Sequence, residues 1–387
     1  MSSDSLTYVK ARCLCKANEF VIPFKTASLP QATDLCHCSS CRHITGQLAV
    51  HTAEAASAPL AIVEGDANAT PTAPADLSKL SKYNASPALT RYFCNTCGAY
   101  LLYESRDDND NPRWSISTGA LERTEGIVKV GYHAFVKDTK DGGLSKHYRT
   151  LNGTEIPRYA LEYGNDTVGA DWKDESLQAI QKKYQDRIHA HCHCRNISLY
   201  LSRPDQEECK DEAKWWLVPG ADDAQYEKGH KPPRFIAGHC FCTSCRLSTG
   251  STVQSWVIVP RAHVFDYHSP DPEVPVTLSK SSPTRVKHLT QYSATPHTYR
   301  EFCSTCGATV FWWTKSKEKV HLPQDESSEE AVVIDLSAGL MDEEQGGALA
   351  EDWVSWYDQI MYEAEAVDKE GAGAVKEGSK LAAAAAA

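Results

Sequence analysis

Three cysteines in the spacing C-x-C-x-x-C occur twice in the chain, and their side chains are the ones best suited to chemistry. The two triplets are Cys36, Cys38 and Cys41, and Cys240, Cys242 and Cys245. The spacing brings three thiolates into one tight loop, where they can share one ion at Zn–S distances of about 2.3 Å. Structural zinc sites normally use four protein ligands, so three thiolates leave a position for water or substrate. Each triplet is therefore predicted to be an open, catalytic metal site.

Two cysteine pairs flank each triplet in the same order, C-x-C upstream and C-x-x-C-G downstream. They are Cys13 with Cys15 and Cys94 with Cys97 in the first copy, and Cys192 with Cys194 and Cys303 with Cys306 in the second. The two copies account for all but one of the 15 cysteines. The remaining thiol, Cys209, has no partner at ligand spacing and is interpreted as passive.

The segments between the cysteines repeat as well, since residues 80–94 match 289–303 and residues 117–121 match 337–340. Such self-similarity predicts a tandem duplication. The expected divisions are an N-terminal domain over 8–185, a C-terminal domain over 186–366 and a disordered cloning tail over 367–387. The tail is inferred from the six alanines that follow Leu381.

Length and charge limit the classes of function. The 387 residues suffice for two domains with cores of their own, and the net charge of −11 argues against a nucleic-acid partner. No stretch approaches the roughly 18 apolar residues of a membrane helix. The first residues lack a secretory pattern and the cysteine pairs are too close for good structural disulfides, so we expect metal binding in the cytoplasm.

The elements that must position these cysteines are expected to be mainly β-strands. Strands are predicted at 99–103 and 114–117 in the first copy and at 309–313 and 332–336 in the second. Few helices are expected. They are a short one within 174–187 and a terminal amphipathic one over 352–366, where Trp353, Trp356, Tyr357, Ile360 and Met361 follow helical spacing.

The combined motif resembles the glutathione-dependent formaldehyde-activating enzyme family, which includes the centromere protein V-like proteins. Its central signature, C-H-C-x-x-C-R-x-x-x-G, is carried by the first triplet with His37, Arg42 and Gly46. The second triplet carries it with Arg246 and Gly250. The resemblance covers most of both halves.

The resemblance implies two tandem Mss4-like zinc-binding β domains with two Zn²⁺ ions each, up to four per chain. It also implies that the flanking pairs join into closed structural sites, formed by Cys13, Cys15, Cys94 and Cys97 and by Cys192, Cys194, Cys303 and Cys306. Each triplet would hold the second zinc of its domain.

The activity implied by the resemblance is that of a carbon–sulfur lyase or synthase acting on glutathione or another small thiol adduct, such as S-(hydroxymethyl)glutathione. A trithiolate zinc is a weak Lewis acid but exchanges soft ligands well, so a substrate sulfur is expected at the open position. The second copy has Phe241 where the first has His37, which predicts altered substrate contacts or no activity there. Arg42 and Arg246 are expected either to hold a substrate carboxylate or to fix their own loops.

Two other interpretations stay open at this point. The chain is a zinc-stapled interaction module without catalysis if a nearby histidine closes each triplet. The candidates are His43, His189, His191 and His239. Alternatively, one half is catalytic and the other is a pseudo-enzyme. Because a tandem copy can satisfy its own two-fold interface, we expect a monomer that is an internal pseudo-dimer.

Overall fold

The computed structural model describes residues 5–63, 70–181, 185–315 and 330–386. The elements of the first half are β1 (Leu6–Arg12), β2 (Glu19–Lys25), β3 (Gln31–Cys36), α1 (Ser39–Thr45), β4 (Val50–Ala55), β5 (Leu80–Ser86), β6 (Leu89–Cys94), β7 (Tyr100–Arg106), β8 (Pro112–Ser117), β9 (Val128–Ala134), β10 (Thr150–Leu151), β11 (Thr154–Glu155) and α2 (Glu175–Gln181).

The second half contains β12 (Arg187–His191), β13 (Ser198–Ser202), β14 (Leu217–Val218), β15 (Ala221–Asp222), β16 (His230–Lys231), β17 (Arg234–Cys240), α3 (Thr243–Thr249), β18 (Gln254–Pro260), β19 (Val264–Asp266), β20 (Leu289–Thr295), β21 (Thr298–Cys303), β22 (Thr309–Thr314), β23 (Val333–Ser337), α4 (Glu343–Gly346), β24 (Val354–Met361) and α5 (Lys369–Ala386). The fold is mainly β, as predicted.

The main sheets of the two halves have the same strand order. In the first half it is β5-β6-β7-β8-β4-β3-β9, and in the second it is β20-β21-β22-β23-β18-β17-β24, with β14 also paired to β17. A separate hairpin accompanies each sheet, β1 with β2 and β12 with β13. The repeated order shows that the duplication extends from the cysteine spacing to the topology.

The predicted strands at 99–103, 114–117, 309–313 and 332–336 correspond to β7, β8, β22 and β23. These strands are buried because their aromatic and branched side chains, among them Tyr100, Leu101 and Phe311, fill the cores. The helix expected within 174–187 is α2. Residues 182–184 lie outside the described residues, and Arg187 already belongs to β12. The domain boundary at residue 185 stays a prediction.

The terminal helix predicted over 352–366 was wrong, because this segment contains β24, which pairs in parallel with β17. Phe235 N donates to Trp353 O at 3.0 Å, and Phe241 N donates to Met361 O at 3.0 Å. Valine, isoleucine and aromatic residues favour strands, so tertiary pairing overrides the helical spacing.

The expected disordered tail was wrong as well. Lys369–Ala386 form α5, in which Ala372 and Val375 are fully buried. Alanine has the highest intrinsic helix propensity, and the helix is further stabilised by packing its small residues on the core. None of the described helices is long and apolar enough to cross a membrane.

The two halves contact each other through matching backbone hydrogen bonds. Leu14 N, in the first cysteine pair, donates to Leu247 O of α3 at 2.8 Å, and His193 N, its counterpart, donates to His43 O of α1 at 2.9 Å. A small apolar cluster also crosses between the halves, with Phe302 packed among Phe93 and its neighbours. The halves therefore form the internal two-fold arrangement that the duplication predicts.

Candidate metal centres

Four sulfur atoms from two distant segments meet in each half. The clusters are Cys13, Cys15, Cys94 and Cys97, and Cys192, Cys194, Cys303 and Cys306. The turn after the first strand of each hairpin supplies two sulfurs, and the turn between β6 and β7 or between β21 and β22 supplies the others.

The sulfur separations test whether such a cluster fits zinc. The Sγ atoms of Cys13 and Cys15 are 3.5 Å apart, and those of Cys13 and Cys94 are 3.8 Å apart. In the second half Cys194 Sγ lies 3.6 Å from Cys303 Sγ. A tetrahedron with Zn–S bonds of about 2.3 Å has edges of about 3.8 Å. The four-cysteine clusters therefore fit a closed structural zinc site.

The triplets also come together as expected. Cys36, Cys38 and Cys41 form one group and Cys240, Cys242 and Cys245 form the other, with all sulfurs of a group within 4.8 Å of one another. Cys36 Sγ and Cys41 Sγ are 3.7 Å apart. All 15 cysteines are free thiols. The expected zinc-binding sets are therefore assembled in space.

A short helix fixes each triplet. Cys38 is the N-cap of α1, and its Sγ accepts a hydrogen bond from Cys41 N at 3.3 Å. Cys242 caps α3 in the same way and accepts from Cys245 N at 3.2 Å. The first cysteine of each triplet ends a strand, so strand end and helix start together set the three sulfur positions.

An arginine that the sequence reasoning did not assign lies against each triplet. Arg91 Nη2 is 3.8 Å from Cys41 Sγ, and Arg300 Nη2 is 3.7 Å from Cys245 Sγ. The neighbouring thiols and then Arg91 hold the pKa of Cys41 well below its usual range. Both arginines occupy the same place in the sequence repeat, which was the available signal.

No described histidine or carboxylate joins either triplet as a fourth ligand within 4.8 Å. His43 instead bonds the Glu343 carboxylate at 2.8 Å, and His239 bonds His147 at 2.8 Å. His189 and His191 form a separate group with Asp342. Within the described residues, the histidines proposed to close the triplets are therefore engaged elsewhere.

His37 of the first triplet and Phe241, its counterpart in the second, are both buried but pack against different partners. His37 is fully buried and its Nε2 lies 2.9 Å from His133 Nδ1, while Phe241 is buried in the core. Phe241 does not line the cavity at the second triplet. The expectation that the second copy has altered substrate contacts or no activity stays a prediction.

The arginines that follow the triplets connect the two halves. Arg42 Nη2 lies 2.7 Å from Glu343 Oε2, and Arg246 Nη1 donates to Gly119 O at 2.7 Å. Neither expectation for these arginines, binding of a substrate carboxylate or fixing of their own loops, describes these contacts. Both side chains instead bridge the two halves. Cys209 lies apart from all the cysteine groups.

A cavity of about 290 Å³ opens at the second triplet. Its apolar walls are Trp215, Trp256, Ile258, Trp312, Met361 and Tyr362, and its polar groups include Arg300 and Asp335. Burial, and then the negative charge of Cys245, raise the pKa of Asp335 to about 8. Strand register places Thr52, Glu54, Tyr103 and Ser115 at the matching positions of Trp256, Ile258, Trp312 and Asp335. The surroundings of the first triplet are therefore more polar.

A family model described as glutathione-dependent formaldehyde-activating enzyme matches the chain twice, over residues 8–138 and 223–355. The chain belongs to this family. The first match spans all seven cysteines of its copy, whereas the second begins at residue 223, after Cys192 and Cys194. Neither the comparison with curated proteins nor that with solved structures returned a match.

Membership of the formaldehyde-activating family agrees with the assembled geometry. Both matched regions contain a complete triplet and a complete C-x-x-C-G motif. The tandem match confirms the duplication inferred from the cysteine spacing. It connects the protein to glutathione-related formaldehyde activation, and the grouped cysteines are residues able to hold a metal ion.

Proposed function

We propose that this protein is a zinc-dependent carbon–sulfur lyase or synthase that acts on glutathione or another small thiol adduct of the S-(hydroxymethyl)glutathione type. The observation that carries the proposal is the second triplet, whose three sulfurs face a cavity and have no fourth described ligand. When bound there, zinc supplies a soft Lewis-acid position that favours sulfur.

The reaction conserves all atoms of thiol and aldehyde. In the synthase direction the thiol sulfur bonds to the carbonyl carbon, and the thiol proton ends on the former carbonyl oxygen. In the lyase direction the same carbon–sulfur bond breaks and the hydroxyl proton returns to sulfur. No oxidant or reductant is required, which suits a protein whose cysteines are all free thiols.

The residues of the cavity have separate tasks in this reaction. Trp256 and Trp312 exclude water from the carbon–sulfur bond, which strengthens polar interactions inside the cavity. Arg300 orients Cys245 through its contacts with Sγ. Asp335 is the carboxyl group placed to carry the proton between sulfur and oxygen, since a group with a pKa near the working pH is suited to this role.

The four-cysteine clusters serve the fold in this proposal, with up to four zinc ions per chain. We also propose a monomer in a reducing, cytoplasmic compartment. The reciprocal contacts of Leu14 and His193 support the monomer, because they cover in one chain the surfaces that two copies would share.

The proposal is tested by measuring exchange between formaldehyde, glutathione and their adduct by NMR, together with zinc content. Replacing Cys242 by serine is expected to remove most of the catalysed exchange, Cys38→Ser a smaller part, and the double variant all of it. The four-cysteine zinc ions should remain in each variant. Undiminished catalysis in the folded double variant would overturn the proposal, and absence of catalysis by the wild type would favour a zinc-stapled interaction module.

A further inference from the structure

Two histidines on β12 face the same side of the strand. His189 and His191 alternate with Ile188 and Ala190, whose side chains are fully buried in the core. Because side chains two residues apart lie on one face of a strand, the two imidazoles project together away from the core. Their ring centroids are 4.9 Å apart.

A carboxylate is held beside these rings by the start of α4. Asp342 N donates to His189 O at 3.0 Å, and His189 N donates to Gln345 Oε1 at 2.8 Å. Asp342 Oδ1 accepts from Glu344 N at 3.0 Å as the helix N-cap. The second oxygen, Oδ2, therefore remains directed toward His189.

The spacing of the three side chains suits ligands of one ion better than a direct hydrogen bond. His189 Nδ1 and Asp342 Oδ2 are 3.5 Å apart, which is beyond the usual range of a nitrogen–oxygen hydrogen bond. Ligands at about 2.0–2.1 Å from a tetrahedral zinc are separated by about 3.4 Å. The ligand atoms of His189, His191 and Asp342 all lie within 4.8 Å of one another.

The far nitrogen of each ring is already occupied. His191 Nδ1 lies 3.2 Å from Cys192 O, and a carbonyl can only accept, so Nδ1 carries the proton and Nε2 presents its lone pair. His189 Nε2 lies 2.6 Å from Ser198 Oγ, a partner that can accept from Nε2, and in that tautomer Nδ1 presents its lone pair. Metal-ligating histidines are typically oriented by a hydrogen bond of this kind on the other nitrogen.

The group is reachable from solvent but sheltered. The side chains of His189 and Asp342 are 12% and 15% exposed. On the other side, the ring of His43 stacks on His191 with centroids 4.0 Å apart. Three protein ligands with access to solvent leave room for water or a further ligand.

We propose that His189, His191 and Asp342 form an additional site for a divalent transition-metal ion, zinc in the first instance, distinct from the cysteine clusters. Imidazole and carboxylate ligands suit Zn²⁺, Co²⁺ and Ni²⁺, whereas thiolate ligands prefer softer metal ions. An ion at this site would link β12, the strand that precedes Cys192 and Cys194, to α4, the helix that contacts α1. It does not depend on the proposed lyase activity.

Cobalt titration of the full-length protein tests the site, after the cysteine clusters have been loaded with zinc and the more weakly held zinc has been removed by dialysis against a mild chelator. Wild type is expected to bind one further Co²⁺ with visible d–d absorption and without thiolate-to-cobalt charge transfer. His189→Ala should weaken this binding by more than about 100-fold. Asp342→Asn should weaken it while retaining the helix cap, because asparagine caps as well as aspartate.

His230→Ala, which changes an exposed histidine outside the group, is the matched control and should bind like wild type. Retained zinc in the four-cysteine clusters verifies that each variant is folded. The proposal is overturned if wild type takes up no additional ion, if cobalt gives only thiolate charge-transfer absorption, or if folded His189→Ala binds the extra ion with undiminished affinity.

Discussion

Arg42 of α1 lies 2.7 Å from the Glu343 carboxylate of α4, and this ion pair joins the two halves of the chain. The arginine side chain is fully buried, and His43 bonds the same carboxylate at 2.8 Å. Ser39 Oγ donates to its other oxygen. Burial opposes ionisation of Glu343, but Arg42 and then His43 hold its pKa well below its usual range. The helix that contains Cys41 of the first triplet is thereby anchored to the opposite half.

Replacing Glu343 by glutamine is expected to lower the free energy of unfolding by about 3 kcal/mol. The change leaves Arg42 buried without its counter-charge, which costs more than the pair itself contributes. Chemical denaturation at neutral pH measures the effect. Glu344→Gln is the control because its side chain is 67% exposed and its pair with Lys140 is a surface one. Equal effects of the two changes would contradict the anchoring role.

Two glycines report on how closely the halves approach. Gly46, at the end of α1, has φ +78°, and a Cβ there would collide with the Thr309 carbonyl of the other half. Gly164 has a similar φ of +83° with nothing within 4 Å of an added Cβ. Gly164→Ala should cost about 1 kcal/mol of stability, from the left-handed backbone alone.

Gly46→Ala is expected to cost about 3 kcal/mol, because overpacking against backbone adds to the same backbone strain. The difference between the two variants in thermal or chemical unfolding isolates the contact between the halves. Equal losses of stability in the two variants would mean that the halves move apart at this point with little cost.

The cysteine spacing was sufficient to predict the two triplets, because a spacing of one or two residues constrains sulfur positions locally. The joining of the flanking pairs into four-cysteine clusters was predicted only from the family resemblance. The sequence repeat likewise predicted that the two halves contain corresponding sheets. The cavity could not be predicted in this way, since Trp256, Arg300 and Met361 come from separate strands that only the sheet order brings together. Helical spacing in 352–366 even pointed to the wrong element, because parallel pairing with β17 is a long-range interaction.

His37 shows a similar limit. Its place inside the triplet suggested a role at the site, yet its partner is His133, 96 residues away in the chain. Conversely, Arg91 and Arg300 were visible as repeated residues, but their closeness to the sulfurs depends on the whole sheet order, which joins β6 through β7 and β8 to β4, and β21 through β22 and β23 to β18. A repeated residue indicates that the two copies share an environment, but it does not identify what the residue contacts.

Removing one ligand of a four-cysteine cluster is expected to destabilise the half that contains it. Cys306→Ser should lose one zinc ion per chain and destabilise the β21–β22 turn, because binding energy at a structural zinc site is folding energy. Zinc analysis and thermal unfolding measure both effects. Cys209→Ser, outside every cluster, should retain full zinc content and stability. Full zinc content in the Cys306 variant would contradict the assignment.

Acidification should destabilise the protein partly through His51. Burial lowers the pKa of His51 to about 4 from the ordinary 6.5. The unfolded chain therefore takes up this proton below about pH 6.5 while the folded protein does not, so stability falls as the pH drops toward 4. Between pH 7 and pH 5 this contribution amounts to about 2 kcal/mol.

The variant His51→Gln has no imidazole to protonate at this position. Zinc loss at low pH affects wild type and variant alike, so comparing the two isolates the contribution of His51. The stability difference between wild type and variant should shift by about 2 kcal/mol in favour of the variant from pH 7 to pH 5. Denaturant titrations at the two pH values, with excess zinc, provide the measurement. A difference independent of pH would show that His51 titrates normally in the folded state.

Asp335 is expected to set the activity of the second half. It lines the cavity beside Arg300, and its counterpart in the first half is Ser115. Asp335→Asn removes a proton carrier without changing size, so catalysed exchange should fall about 100-fold at the second triplet, with zinc content unchanged. The measurement uses a Cys38→Ser background, so that only the second half contributes. Ser115→Ala should have no effect there, and an unaltered rate in the Asp335 variant would remove the carboxyl from the mechanism.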